Sequence, residues 1–156
     1  MSTGNVGNDV TELSRDRCWA LLRAGQVGRL AVWVEGHPDI FPINYVLDHA
    51  TVVFRSGEGT KLAGALSGSP VAFEVDGYDQ ETAHAWSVVI KGEAESIHKT
   101  EEVLDTVSLP LFPWHGGGKD HFARIVPSSV TGRQFKPVDP ETWRTPWMDA
   151  PRASTE

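Results

Sequence analysis

The sequence predicts a mainly β protein with a few short helices, folded as a closed antiparallel barrel. Six or seven segments carry the alternating or β-branched patterns of strands, and short turn-forming stretches separate them. Only two or three short helical patterns are present, and they do not alternate regularly with the strands, which argues against a parallel α/β sheet. Antiparallel strands in this number are commonly closed into a barrel, because closure removes the exposed edges.

The chain length of 156 residues fits one domain with a core of useful size. We expect residues 1–10 to form a disordered N-terminal tail, because they are small and polar. The barrel domain is expected over residues 11–137. Residues 138–156 are expected to form a C-terminal extension whose end is disordered.

The charge and the cysteine content exclude several classes of function. The chain has 14 Lys and Arg against 21 Asp and Glu, so a basic face for nucleic acid is not expected. No apolar run reaches the length of a membrane span, and the N-terminus lacks the order of a signal peptide. Cys18 is the single cysteine, so no internal disulfide can form, which favours a cytoplasmic location.

The first predicted element is a helix that begins after Ser14 and ends at Gly25. Ser14 can cap the N-terminus, and Asp16 lies in the first turn, where the helix dipole favours an acid. Cys18 and Leu22 share one face of the helix. We therefore predict that Cys18 is a buried apolar residue and not a nucleophile.

Three strands follow, and their short connections predict an antiparallel meander. Val27–Val34 alternates between core-type and exposed-type residues. Ile40–Leu47 is the second strand, with a break or bulge expected at Pro42, because proline cannot donate to a sheet ladder. Thr51–Arg55 is the third strand.

In the second half of the chain, the predicted elements follow one another less regularly. Val71–Val75 is a strand followed by a polar turn at Asp76–Glu81, and Ala85–Ile97 is a long strand that we expect to bulge at Gly92. The remaining predicted elements are a helix at Lys99–Val107, an irregular stretch at Leu109–Asp120, and one or two strands at His121–Val126 and Thr131–Phe135.

The strongest candidate site lies where the third strand ends. Arg55 and Ser56 close the strand, two glycines turn the chain, and Thr60 and Lys61 open a short helical pattern. A guanidinium, an ammonium, hydroxyl groups and the N–H groups of a helix start are suited to binding a phosphate. The alternative is a solvated strand end followed by a capped helix. The Walker pattern is absent.

The proline-containing strand Phe41–Tyr45 is the second candidate. A strand bent at Pro42 frees main-chain N–H and C=O groups, which a flat heterocycle could bind; the alternative is an irregular barrel corner. Trp86 and Trp114 could stack on a planar ligand, although a tryptophan more commonly packs in a core.

The sequence offers no metal site and no assigned catalytic residue. The six histidines make neither an H-x-x-x-H nor an H-E-x-x-H pattern, and C-x-x-C and G-x-S-x-G are absent. Tyr45 or His121 could act as a general acid or base, but a structural role is favoured for both.

Taken together, these segments resemble the FMN-binding split-barrel family that is similar to pyridoxamine 5′-phosphate oxidase. The similarity covers about residues 13–135. The matching segments, in order, are Val27–Ala31, Pro42–Tyr45, Val53–Ser56, Gly59–Leu62, Val71–Asp76 and Trp86–Ala94.

This resemblance implies a split β-barrel that forms a homodimer with two FMN sites at the subunit interface. It implies an oxidoreductase that acts on a small organic molecule. It implies that Pro42, Asn44 and Tyr45 lie along the isoalloxazine edge, largely through main-chain groups, and that Arg55, Ser56, Thr60 and Lys61 hold the phosphate. Phe54 is a further implied cofactor-binding residue. Trp86 and Trp114, from the same or the partner subunit, are implied to flank the ring.

Departures from the family pattern keep alternatives open. Thr60 replaces the arginine that precedes the helix-start lysine in true pyridoxamine phosphate oxidases, and their C-terminal arginine–histidine motif is missing. Oxidation of vitamin B6 is therefore not expected. The alternatives are an F420-dependent reductase of the same fold, with Arg29 and Lys91 as extra basic groups, a non-catalytic flavin-binding module, and a barrel without cofactor.

Overall fold

The computed structural model describes residues 10–57, 68–97 and 120–137. These residues form one α-helix, α1 (Arg15–Ala24), and seven β-strands. The strands are β1 (Val10–Glu12), β2 (Val27–Val34), β3 (His37–Asp48), β4 (Thr51–Gly57), β5 (Pro70–Asp79), β6 (His84–Ser96) and β7 (Asp120–Phe135).

The strands form one antiparallel sheet that closes on itself. Their order is β1-β7-β4-β3-β2-β5-β6, and β6 also pairs with β7, so six strands surround the core and β1 lies outside the ring. The prediction of a mainly β, antiparallel barrel is therefore confirmed. The largest fully buried side chains include Phe54, Phe73, Leu22, Leu30 and Ile90.

Helix α1 is present between its predicted ends, and its Cys18 and Leu22 pack in the core. Ser14 Oγ accepts a hydrogen bond from the Arg17 main-chain N–H at 3.2 Å, which is the expected N-cap. The Gly25 N–H donates to the Leu22 carbonyl at 3.2 Å and ends the helix. Cys18 is fully buried, so its predicted role as an apolar core residue is confirmed.

Burial along β2 follows the predicted alternation. Leu30, Val32 and Val34 are buried, whereas Arg29 and Trp33 are exposed. The bounds Val27–Val34 also agree with the prediction.

The irregularity expected at Gly92 is present in the pairing between β6 and β7. Lys91 is opposite Ser129 and Gly92 is opposite Pro127, so β7 contains one extra residue, Ser128. The Ser128 hydroxyl donates to the Lys91 carbonyl at 3.0 Å. With this bulge, β7 is one continuous strand from Asp120 to Phe135, whereas the sequence left open one strand or two.

Three sequence predictions need correction. Strand β3 runs through Pro42 without a break, and Pro42 stays in register opposite Arg29. In the described residues, β3 pairs with β4 only from Tyr45 onward. At Pro42, β3 therefore has a neighbouring strand, β2, on one side only, and proline is tolerated at such an edge position. Strand β5 continues to Asp79, through residues predicted as a turn, because Asp76–Asp79 pair with β6. Strand β1 was not predicted.

Several predicted features lie outside the described residues. They are the helical pattern that Thr60 and Lys61 open, the helix at Lys99–Val107, the irregular stretch that begins at Leu109, and residues 1–9 and 138–156.

The β3–β4 hairpin turns through His49 and Ala50, which both have positive φ angles, 45° and 59°. This left-handed conformation costs a non-glycine residue about 1–2 kcal/mol, and a glycine costs about 0.4–1 kcal/mol in unfolded-state entropy. We therefore expect Ala50→Gly to raise the free energy of unfolding by about 0.5–1 kcal/mol. Urea denaturation measures this change.

The matched control is Ala20→Gly in α1, which should lower the free energy of unfolding by about 1 kcal/mol. A loss of stability in both variants would contradict the left-handed turn.

Candidate functional site

The alternation of β3 defines an outer face of the barrel. Ile43 and Tyr45 point into the main core. Because successive side chains in a strand point to opposite sides, Pro42, Asn44 and Val46 point outward. Pro42 is exposed, and Asn44 is half-buried.

Strand β4 continues the same outer face. Val52 and Phe54 belong to the main core, so Val53 and Arg55 point outward. Val46 lies opposite Val53 in the register between β3 and β4. Two residues of the predicted flavin edge and the predicted phosphate-binding arginine therefore share one face of adjacent strands.

A second, smaller apolar cluster is buried on the outer side of these strands. Val53, Ile97 and Phe122 form a second buried cluster, and Val46 packs against it. Arg55 is half-buried and lies opposite Phe122 in the register between β4 and β7. Charged hydrogen bonds are stronger beside apolar groups than in open solvent, because the local dielectric constant is lower.

Arg29 and Arg124 are held by carboxylates. Arg29 Nη1 lies 3.0 Å from Glu74 Oε2 and 3.1 Å from Asp76 Oδ1. These hydrogen bonds, the one to Asp76 first, raise the pKa of Arg29. Arg124 Nη2 lies 3.0 Å from Asp48 Oδ2. The positive charge of Arg29 is thus matched by two carboxylates, which disfavours its use as an extra basic group for F420.

Tyr45 is a core residue that joins β3 to α1. Its hydroxyl donates to the Leu22 carbonyl at 2.5 Å, and its main-chain N–H donates to the Gln26 carbonyl at 3.1 Å. Its ring packs edge-on against Phe73, with the centroids 5.0 Å apart. Burial raises the pKa of Tyr45 to about 12, so it is a poor acid or base at neutral pH. The Tyr45 side chain therefore points into the core of its own protomer. Its predicted place along the flavin edge, largely through main-chain groups, stays a prediction.

The hydrogen bond from Tyr45 to Leu22 leads to a stability prediction. We expect Tyr45→Phe to lower the free energy of unfolding by about 1–2 kcal/mol at pH 7, because the buried carbonyl loses its donor. The folded-state pKa is about 12, against an ordinary value of 10.0. A raised pKa gives stability that is present below pH 10 and is lost as the pH rises toward 12.

Guanidinium denaturation between pH 7 and 11 checks both parts of this prediction. The advantage of the wild type over the variant should be constant up to about pH 9 and then shrink. A constant advantage up to pH 11 would contradict the raised pKa.

Phe54 and Trp86 lie on the core side of their strands. Phe54 is fully buried in the main core, so its side chain is not available to a ligand. Trp86 shares the inward side of β6 with Val88 and Ile90, and its indole lies directly over Gly77 of β5. Within one protomer, Trp86 therefore does not lie on the outer face with Arg55.

The remaining predicted site residues are described partly or not at all. Ser56 lies in β4 opposite His121, but neither side chain is described. Thr60, Lys61 and Trp114 lie outside the described residues, so their role in a site stays a prediction.

The buried apolar cluster beside the candidate site was not predicted from the sequence. Val46, Val53 and Phe122 were not singled out as site residues, although they form or pack against the buried cluster beside Arg55. The available signal was the alternation itself, because Val53 is out of phase with the core residues Val52 and Phe54.

Membrane and metal chemistry gain no support from the described part of the chain. No helix there combines the length and the apolar composition of a membrane span. Within the same residues, no three His, Cys, Asp or Glu side chains are grouped as metal ligands.

A family model described as pyridoxamine 5′-phosphate oxidase matches residues 14–134. The chain belongs to this family. The match extends over almost the whole barrel, from the N-cap of α1 to the end of β7. The family resemblance inferred from the sequence is therefore confirmed, and so is the predicted split-barrel fold.

Two solved structures of FAD-binding proteins are similar to this chain in sequence and in fold. The FAD-binding protein from Mycobacterium smegmatis is 36% identical with a TM-score of 0.71, covering 81% of this chain and 98% of its own. An FAD-binding protein from Mesorhizobium loti is 28% identical with a TM-score of 0.64, covering 80% and 97%.

A curated relative is also similar over most of the barrel. The uncharacterized protein Rv0080 of Mycobacterium tuberculosis is 32% identical over 129 residues, which cover 80% of this chain and 84% of the relative.

Proposed function

We propose that the protein binds a flavin on the outer face of β3 and β4 and carries out redox chemistry on a small organic molecule. The observation that supports this most is the common placement of Pro42, Asn44 and Arg55 on one face of adjacent strands. A buried apolar cluster lies directly beside them. A cation beside an apolar surface suits a ligand that has both a phosphate and a flat ring system.

The residues present fit a flavin mononucleotide unit. Arg55 would hold the phosphate, together with the sequence-predicted Ser56, Thr60 and Lys61. Pro42 and Asn44 would lie along the ring edge. A bound flavin would supply hydride transfer, while the protein's own groups would orient the ring and exclude water from it.

The phosphate and the ring are common to FMN and FAD. The sequence resemblance predicts FMN. FAD is a second candidate, because two similar solved structures are those of FAD-binding proteins. F420 is less favoured, because the guanidinium of Arg29 is already held by Glu74 and Asp76.

We also propose a homodimer, with a second copy covering part of the outer face. Val27 and Ile40 are large apolar residues that are 38% and 64% exposed. They lie on neighbouring strands, on the same side as Pro42. A second copy that covered the face between them would remove both side chains from solvent. Sedimentation velocity should give twice the chain's 17.1 kDa; a monomer at micromolar concentration would contradict this proposal.

Titration of flavin-free protein with FMN, FAD and F420 tests the cofactor proposal. Tight, saturable binding of FMN or FAD, seen as flavin fluorescence quenching and an absorbance shift, is the expected result. Preference for F420, or no binding of any of the three, would refute it. Reduction of the bound flavin by NADH or NADPH would then separate an oxidoreductase from a non-catalytic flavin carrier.

A further inference from the structure

A groove opens where β2 and β5 separate. Their register contains only three pairs and ends with Ala31 opposite Ala72. Beyond that point β2 continues along β3 to Val34, whereas the first residues of β5 remain paired with β6. The separated strand ends flank an open groove of about 680 Å³, a size that suits a small organic molecule.

Rigid, flat apolar groups form the walls of this groove. Trp33 and Pro38 line one side, and Pro70, Val126 and Pro127 line the other. Trp33 is 61% exposed and Val126 is 44% exposed, so both present apolar surface that a ligand could cover. Indole and proline rings lose little conformational freedom on binding, because they have few rotatable bonds.

The small side chains and the charges of the lining restrict the ligand further. Ala31 and Ala72 leave room beside the separating strands, so a flat ring can lie against the main chain. Among the lining residues only Lys91 and Glu93 are charged, and their charges are opposite. Such a lining does not favour a ligand with a net charge.

From this geometry we propose that the groove is a binding site for an uncharged, planar aromatic molecule of two or three rings. Ala31 lies two residues from Arg29, whose cross-strand partner is Pro42. Ala31 and Pro42 are therefore on the same outer face, and the ligand would bind on the side of the barrel that carries the proposed flavin edge. The site depends on the groove alone and does not require flavin binding.

The neutral fluorescent probe N-phenyl-1-naphthylamine tests this site with the full-length protein. We expect saturable binding with one probe per chain, and affinity about tenfold lower in Trp33→Ala, which removes one wall. In Ala72→Phe, the larger side chain would occupy part of the groove and should lower the affinity by a similar factor. Tyr78→Ala is the control, because Tyr78 is 56% exposed but does not line the groove.

The anionic probe 8-anilinonaphthalene-1-sulfonate tests the charge argument and should bind more weakly than the neutral probe. Thermal unfolding of each variant shows whether a lost affinity reflects a lost fold. The absence of saturable binding, unchanged affinity in both groove variants, or preference for the anionic probe would overturn the proposal. Flavin titration of the same proteins is a separate measurement. A protein that binds the neutral probe but no flavin would refute the flavin proposal and leave the groove proposal standing.

Discussion

Replacing Gly92 by alanine is expected to lower the free energy of unfolding by about 3 kcal/mol, the largest stability effect that we predict. A Cβ atom at this position would lie 2.2 Å from the Val126 carbonyl oxygen and 3.0 Å from Pro127 Cα. Both are main-chain atoms of β7, so they cannot rotate away as a side chain can. Relief of the overlap would require β7 to move at the bulge that closes the barrel against β6.

Gly77→Ala is the matched control for this effect. Its Cβ would lie 2.6 Å from the Trp86 indole, a side chain that is only half-buried and can move. We therefore expect Gly77→Ala to cost clearly less than Gly92→Ala in urea denaturation. Equal costs, or a cost below about 1 kcal/mol for Gly92→Ala, would contradict the close approach of β6 and β7.

Loss of Arg55 is expected to weaken flavin binding about 10- to 150-fold, which is the value of one charged hydrogen bond of about 1.5–3 kcal/mol. Arg55 lies on the outer face beside Phe122, where a phosphate contact would be partly shielded from water. Adding Lys61→Ala, at a position predicted from the sequence alone, should weaken binding further. The two effects need not add, because both groups would act on one phosphate.

Arg29→Ala is the control for a general loss of positive charge. The guanidinium of Arg29 is held by Glu74 and Asp76, so its removal should change flavin affinity less than about threefold. Fluorescence titration of the three variants at one salt concentration makes the comparison. Unchanged affinity in Arg55→Ala/Lys61→Ala would remove the phosphate assignment.

The elements that were predicted well are those whose local signals agree with their burial. Helix α1 has a capping serine and a stopping glycine, and β2 has a strict alternation, so neither needed tertiary information. The prediction of a turn at the polar end of β5 was wrong, because Asp76–Asp79 are held in the strand by pairing with β6 and not by their own preference. Strand β1 is short and exposed, and its pairing with β7 defines it.

The site was predicted in part for the same physical reason. The sequence identified the segments that carry Pro42, Asn44 and Arg55, but a resemblance between segments does not say which side chains point inward. Tyr45 and Phe54 lie on the core side of their strands, and Tyr45 is further held there by its hydrogen bond to Leu22. Strand alternation could have indicated this placement, whereas the separation of β2 from β5 depends on the register of the closed sheet.

The most direct test of the proposed site is a crystal structure of the protein after saturation with FMN or FAD. The account predicts that the isoalloxazine ring lies on the outer face beside Pro42 and Asn44, with the flavin phosphate within hydrogen-bonding distance of Arg55. A flavin bound elsewhere, for example in the groove beside Trp33, or a phosphate that does not contact Arg55, would contradict it.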